Sequence, residues 1–288
     1  MTTTYDNLMQ LDFPDVHDTY SERDTMFYAL SLGVGNDPVD PNQLRQVYEK
    51  NLCPLPTMCV TLAHPGFWPK ELNTGLDHGR IVHGGQQLRL HKEMPSCGEV
   101  IGRSKIRDVI DKGEGRGALV YFRRELYLAE SNELLCSMEQ TLFCRGDGGM
   151  GGSGNSINPS QSIPSRKPDY EIDHELLPQS ALLYRLNGDM NLLHADPDIA
   201  RKAGFDRPIM QGLATYGVAG LALIETLCEN KPAALKGLNV RFTAPVYPGE
   251  SLCTQIWQLD GGAAAFRVSV PKRNVVAIDN GRADLGLG

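Results

Sequence analysis

Between Tyr184 and His194 the chain places an acid (Asp189), an amide (Asn191) and a base (His194) within six residues. Eighteen residues after His194, Gly212 stands at the head of a long apolar run. A carboxylate and an imidazole can share one water. A glycine at a helix start brings a backbone N–H close to a carbonyl oxygen. Together these groups point to proton transfer beside a polarised carbonyl. His194 is the natural base, because imidazole titrates near neutral pH. Asp189 can hold the same water and carry its proton onward, and two coupled groups can trade these roles. Asn191 donates and accepts without titrating, which suits it to fixing the loop or the water.

Helix punctuation surrounds this loop. Asp196 can cap a short helix with Pro197 at its first position, and Gly204 can end it. Pro208 then precedes a segment, 209–224, that is apolar nearly all round. Such a helix must be wrapped by other structure. Its many small residues let a curved sheet approach closely. One long buried helix embraced by antiparallel strands is the α+β hot-dog arrangement.

The chain is predicted to carry this arrangement twice. Residues 145–168 hold six glycines, three prolines and five serines, a composition that reads as a linker over 146–168. It separates a half over 1–145 from a half over 169–288. The two read as diverged copies. Tyr28–Gly33 opens a helix-like stretch in the first and Tyr184–Gly188 in the second. Alternating segments after His83 and after Lys236 read as strands in both. The first half lacks an equal helix. Its matching region, Leu55–Pro69, is cut short by Pro65 and Pro69. A shortened helix leaves a void, and a void beside a reactive loop can hold a ligand tail.

Net charge is −7, with 41% hydrophobic and 22% charged residues. Those are globular proportions. An acidic balance argues against a general nucleic-acid or anionic-membrane binder. The seven cysteines are odd in number and scattered, with no Cys-x-x-Cys pair, so free thiols in a reducing compartment are expected. No His, Cys, Asp or Glu spacing predicts a metal site. The start lacks a signal-peptide pattern, and the apolar helix is too short and mixed to span a bilayer. A cytoplasmic protein is expected.

The run Gly188-Asp189-Met190-Asn191-Leu192-Leu193-His194 resembles the signature Gly-Asp-x-Asn-Pro-Leu-His of R-specific 2-enoyl-CoA hydratases, the hydratase 2 group of MaoC-like proteins. The resemblance covers nearly the whole chain and corresponds to a two-domain, double hot-dog form. It departs at Leu192, where the family has proline, and at Gln211-Gly212, where the family has His-Gly. It implies hydration of a trans-2-enoyl-CoA to a 3R-hydroxyacyl-CoA, with Asp189 and His194 as the acid–base pair and Gly212 as the oxyanion donor. It also implies that His83, Gly84, Lys112 and Phe242 hold the acyl-CoA. Coenzyme A then enters as part of the substrate, and no cofactor is needed. On the residues alone, His83 also fits a strand-start residue satisfied by backbone, Lys112 a solvated turn and Phe242 a core position. A hot-dog thioesterase and a catalytically silent acyl-CoA-binding partner subunit are the alternatives. Pairing of the halves supplies the usual hot-dog dimer within one chain, and a further homodimer stays open.

Overall fold

The computed structural model describes residues 3–154 and 162–286. Along Ala118–Leu128 the buried positions Val120, Phe122 and Leu126 alternate with part-exposed Leu119, Arg123 and Glu125. That period of two is what a strand with one core-facing side requires. The described residues form ten strands: β1 (Val16–Tyr20), β2 (Ile81–Leu90), β3 (Gly98–Asp111), β4 (Ala118–Leu128), β5 (Leu134–Cys144), β6 (Tyr170–Glu175), β7 (Leu235–Phe242), β8 (Ser251–Leu259), β9 (Ala263–Val270) and β10 (Val275–Leu285). The helices are α1 (Tyr5–Met9), α2 (Glu22–Ser31), α3 (Pro41–Val47), α4 (Trp68–Glu71), α5 (Ser180–Tyr184), α6 (Pro197–Lys202) and α7 (Gly212–Leu227).

All ten strands join one sheet, in the order β1-β3-β4-β5-β2-β7-β10-β9-β8-β6. The order reads the same from either edge once β1–β5 are matched to β6, β7, β8, β9 and β10. This is the duplication seen in the sequence, now as a double hot-dog. The halves meet where β2 pairs antiparallel with β7, from Gly85 opposite Arg241 to Arg89 opposite Gly237.

Helix α7 is the centre of the second half. Twelve of its sixteen residues are buried. Its small residues carry the contact with the first half. A methyl group on Gly217 would lie 2.7 Å from Leu32, and one on Gly220 would lie 2.8 Å from Thr57. The first-half counterpart is only a five-residue 3-10 turn, Pro56–Val60, followed by the one-turn α4. The expected shortening is therefore present.

Some local expectations need correction. Tyr28 does not open a helix. Helix α2 begins at Glu22, where Ser21 and Asp24 form a capping box, and Tyr28 lies near its end. Likewise Tyr184 closes α5 rather than opening it. The two tyrosine rings pack at a tilt of 59° with centroids 6.0 Å apart. The glycine-rich stretch runs against the first half up to residue 154. There the Asp111 carboxylate accepts from the N–H groups of Gly113, Gly149 and Gly151. These bonds hold the Asp111 carboxyl below the usual carboxylate range. The rest of that stretch, 155–161, falls outside the described residues.

The seam makes a stability prediction. A methyl on Gly85 would sit 2.9 Å from the Val240 carbonyl oxygen, a backbone atom that cannot step aside. Gly85→Ala should cost about 1–3 kcal/mol in urea unfolding. Gly79→Ala, where the nearest atom is 3.6 Å away, should stay within about 0.5 kcal/mol of the parent. Equal effects would contradict the seam packing.

Candidate active site

The loop between α5 and α6 is built by its own polar side chains. Asn191 precedes the 3-10 turn Leu192–His194, and its side chain accepts from the Leu193 N–H at 3.0 Å. The Asn191 N–H in turn donates to Asp189 Oδ1 at 3.3 Å. Asn191 is therefore a loop-fixing residue here. Gly188 turns the chain into the loop with φ of 111°, a conformation that a side chain resists. As expected, Asp196 caps α6 and Pro197 occupies its first position.

The loop delivers His194 and Asp189 to one place. His194 Nε2 lies 3.8 Å from Asp189 Oδ2. That gap is too long for a direct hydrogen bond and short enough for one water to touch both. On the other side of the ring, Nδ1 lies 2.9 Å from the Ile209 carbonyl oxygen. A carbonyl only accepts, so Nδ1 carries a proton, and in the neutral ring Nε2 presents a lone pair. The His194 side chain is 10% exposed and that of Asp189 36%, so imidazole and carboxylate sit at different depths of the same wall.

Gly212 is the first residue of α7. Its N–H points out of the helix start, where no intrahelical acceptor exists. The chain is steered there by the Met210 N–H, which donates to the Val246 carbonyl at 2.7 Å. Gln211, fully buried, donates from its amide to the Ala181 carbonyl at 3.1 Å. The absence of a side chain at Gly212 lets the Phe242 ring lie against it, because a methyl there would already be 3.3 Å from that ring.

The first half contributes the opposite wall. His83 packs edge-on to Phe242 with ring centroids 5.0 Å apart, and its Nε2 donates to the Gly85 carbonyl at 2.9 Å. Enclosure by protein pushes the His83 pKa down to about 4, with the Gly85 bond and the charge of Asp189 pulling the other way. Lys112 places its ammonium 4.5 Å from the centre of the Phe143 ring.

All eight residues singled out in the sequence line one cavity of about 2090 Å³: Asp189, Asn191, His194, Gly212, His83, Gly84, Lys112 and Phe242. That volume exceeds the usual range of about 300–1,000 Å³ for small-molecule sites. The cavity continues past the shortened first-half turn, along Val60, Thr61 and His64. His64 also lines this space, and desolvation holds its pKa below the ordinary value. His78, His91 and His174 do not line it. Gln86 and Gln140 were missed altogether. They are direct partners across β2 and β5. The register shift between His83 and Gly85 hid them, because a bulge breaks the simple alternation.

A double hot-dog with a histidine–aspartate pair and a helix-start N–H in one cavity defines the class. Comparison with known proteins gives the family. Residues 19–146 match the hydratase 2 N-terminal domain of MFE-2, and residues 159–280 match the MaoC like domain. The chain is 38% identical to 3-hydroxyacyl-thioester dehydratase Y of Mycobacterium tuberculosis, over 87% of this chain and 86% of that protein. It is 36% identical to the peroxisomal enoyl-CoA hydratase 2 of Arabidopsis thaliana, over 93% and 91%. A crystal structure of a MaoC-like dehydratase from Phytophthora capsici superposes with a TM-score of 0.87 at 30% identity, covering 98% of this chain and 99% of that one. The chain belongs to the two-domain hydratase 2 family of MaoC-like proteins.

The electrostatics of His83 give a titration prediction. Its pKa in the fold lies below the unfolded value of about 6.5. The unfolded chain therefore takes up this proton first as pH falls. The resulting loss of stability begins near pH 6.5 and continues down to about 4. Imidazole nitrogen NMR should show His83 neutral at pH 6. An imidazolium signal for His83 at that pH would contradict the assignment.

Proposed function

We propose that this chain catalyses the reversible addition of water to a trans-2-enoyl-CoA, giving a (3R)-3-hydroxyacyl-CoA. The observation that carries the proposal is the 3.8 Å gap between His194 Nε2 and Asp189 Oδ2, in a cavity that the Gly212 N–H also borders. A water held in that gap attacks C3 of the enoyl thioester and gives up a proton to the pair. Negative charge builds on the thioester oxygen as the new C–O bond forms. The Gly212 N–H, backed by the dipole of the sixteen-residue α7, stabilises that charge. C2 then takes a proton from the acid–base pair, and no atom is left over. Dehydration runs through the same transition state in reverse.

The second half carries the chemistry and the first half binds the substrate. The thioester lies against His83, Gly84 and Phe242. Lys112 and Arg145, grouped about the Phe143 ring, are the cations for the phosphates of coenzyme A. The reading needs no metal or separate cofactor. The 3R stereochemistry rests on family membership. The seven free thiols suit a reducing compartment, and we assign the cytoplasm, although the Arabidopsis relative is named as peroxisomal. No helix among the described residues is long and apolar enough to cross a membrane.

His194→Ala should lower kcat by about 10²–10⁴, the usual range for removing an acid–base group, with KM changed far less. The assay follows loss of enoyl-thioester absorbance, and no free thiol should appear. A His194→Ala rate equal to the wild type would overturn the reading. Release of free thiol would favour a thioesterase instead.

Gly212→Pro removes the N–H while suiting the first helical position. Gln211, at φ −60° and ψ 136°, already has the conformation that a following proline prefers. Its Cβ meets the Phe242 ring at 3.3 Å, as that of Gly212→Ala does, so it is read against Gly212→Ala, relative to which it should lose about 10²–10³ in kcat. Full activity would show that the oxyanion donor lies elsewhere.

A further inference from the structure

Beside the cavity lie buried polar groups that the proposed hydration does not use: Gln86 lines the cavity, and Arg124 lies behind it. Arg124 is 4% exposed and Gln86 is 2% exposed. On β4, Val120, Phe122 and Leu126 set the inward face, and Arg124 falls on it. Its guanidinium donates to the Val60 carbonyl at 2.6 Å and touches the Met138 sulfur. No carboxylate lies within ion-pair distance of it among the described residues. Burial lowers the Arg124 pKa to about 10, so it remains a cation.

Two of these buried polar atoms have no hydrogen-bond partner: Arg124 Nε, a donor, and Gln86 Oε1, an acceptor. Both residues border the same small void of about 10 Å³, together with Phe122, Met138 and Gln140. That is close to the space of a single oxygen atom with its hydrogens. Gln86 and Gln140 also line the large cavity, so these two residues border both spaces. Gln86 lies three residues beyond His83 on β2, past the bulge between His83 and Gly85. An unmet donor and an unmet acceptor in a buried site each carry a desolvation penalty.

We infer that this wall recognises a hydroxyl group on the acyl tail of the substrate, held between Arg124 and Gln86 with Gln140 as the gate. The inference rests on the hydratase reading above. A hydroxyl is the matching group because it both accepts and donates. Its oxygen accepts from Arg124 Nε–H, and its O–H donates to Gln86 Oε1. A methyl terminus satisfies neither atom. A carboxylate answers the cation but meets the amide oxygen with repulsion. The wall therefore sorts tails by chemistry at a fixed depth, rather than by length alone.

The test is a kinetic panel on the intact protein. Trans-2-enoyl-CoAs of one chain length carry no substituent, a hydroxyl at successive tail carbons, or a terminal carboxylate. The quantity read is kcat/KM for each relative to the plain chain. One hydroxyl position should exceed the plain chain by at least about tenfold, the value of one well-placed buried hydrogen bond. Arg124→Met and Gln140→Leu should each remove that advantage. A wild type that ranks every hydroxylated tail at or below the plain chain would overturn the inference without any variant. So would an advantage that persists in Arg124→Met, or a carboxylate preferred over the hydroxyl. Such results on an active enzyme leave the hydratase reading intact, whereas no turnover of any panel member ends both.

Discussion

Helix α7 has almost no face that tolerates water. Twelve of its sixteen residues are buried, and its glycines admit neighbours at distances where a Cβ would collide. One curved half-sheet covers a helix from one side only. The remaining side must be closed by the other half, and Leu32, Tyr28 and Thr57 close it. The joined sheet and its β2–β7 seam follow from that need. The reactive loop inherits its position from the same packing. His194 is anchored to the Ile209 carbonyl just before α7, and Gln211 ties the helix start to α5.

The asymmetry of the two copies then makes the cavity. The second copy spends its interior on a sixteen-residue helix, whereas the first has a five-residue turn in the corresponding place. The space so released lies directly against the loop that carries Asp189 and His194. One copy thus carries the Asp189–His194 loop, and the other supplies room beside it. Residues of both halves border this single space, and His83 of the first half touches Phe242 of the second.

Much of this was legible in the sequence because local chemistry dictated it. The cap at Asp196, the proline at 197 and the all-round apolar run after Pro208 specify helix and burial directly. The six-residue span from Asp189 to His194 allows few geometries, and Asn191 fixes one of them. Other features depend on partners far along the chain. The start of α2 was missed although Ser21 and Asp24 carry a capping signal, because the run after Tyr28 looked more helical. The glycines at 149 and 151 read as linker, since nothing local shows that Asp111 collects their N–H groups. Arg124 sits in a charged run, Arg123-Arg124-Glu125, where only the apolar phase of Val120, Phe122 and Leu126 shows that it turns inward.

The central claim is spatial: one imidazole, one carboxylate and one main-chain amide surround a single thioester. A high-resolution crystal structure with a bound 3R-hydroxyacyl-CoA tests it most directly. The account predicts the 3-hydroxyl within hydrogen-bond distance of both His194 and Asp189, and the thioester oxygen within the same distance of the Gly212 nitrogen. A thioester oxygen turned away from Gly212, or a 3-hydroxyl out of reach of His194, would contradict it.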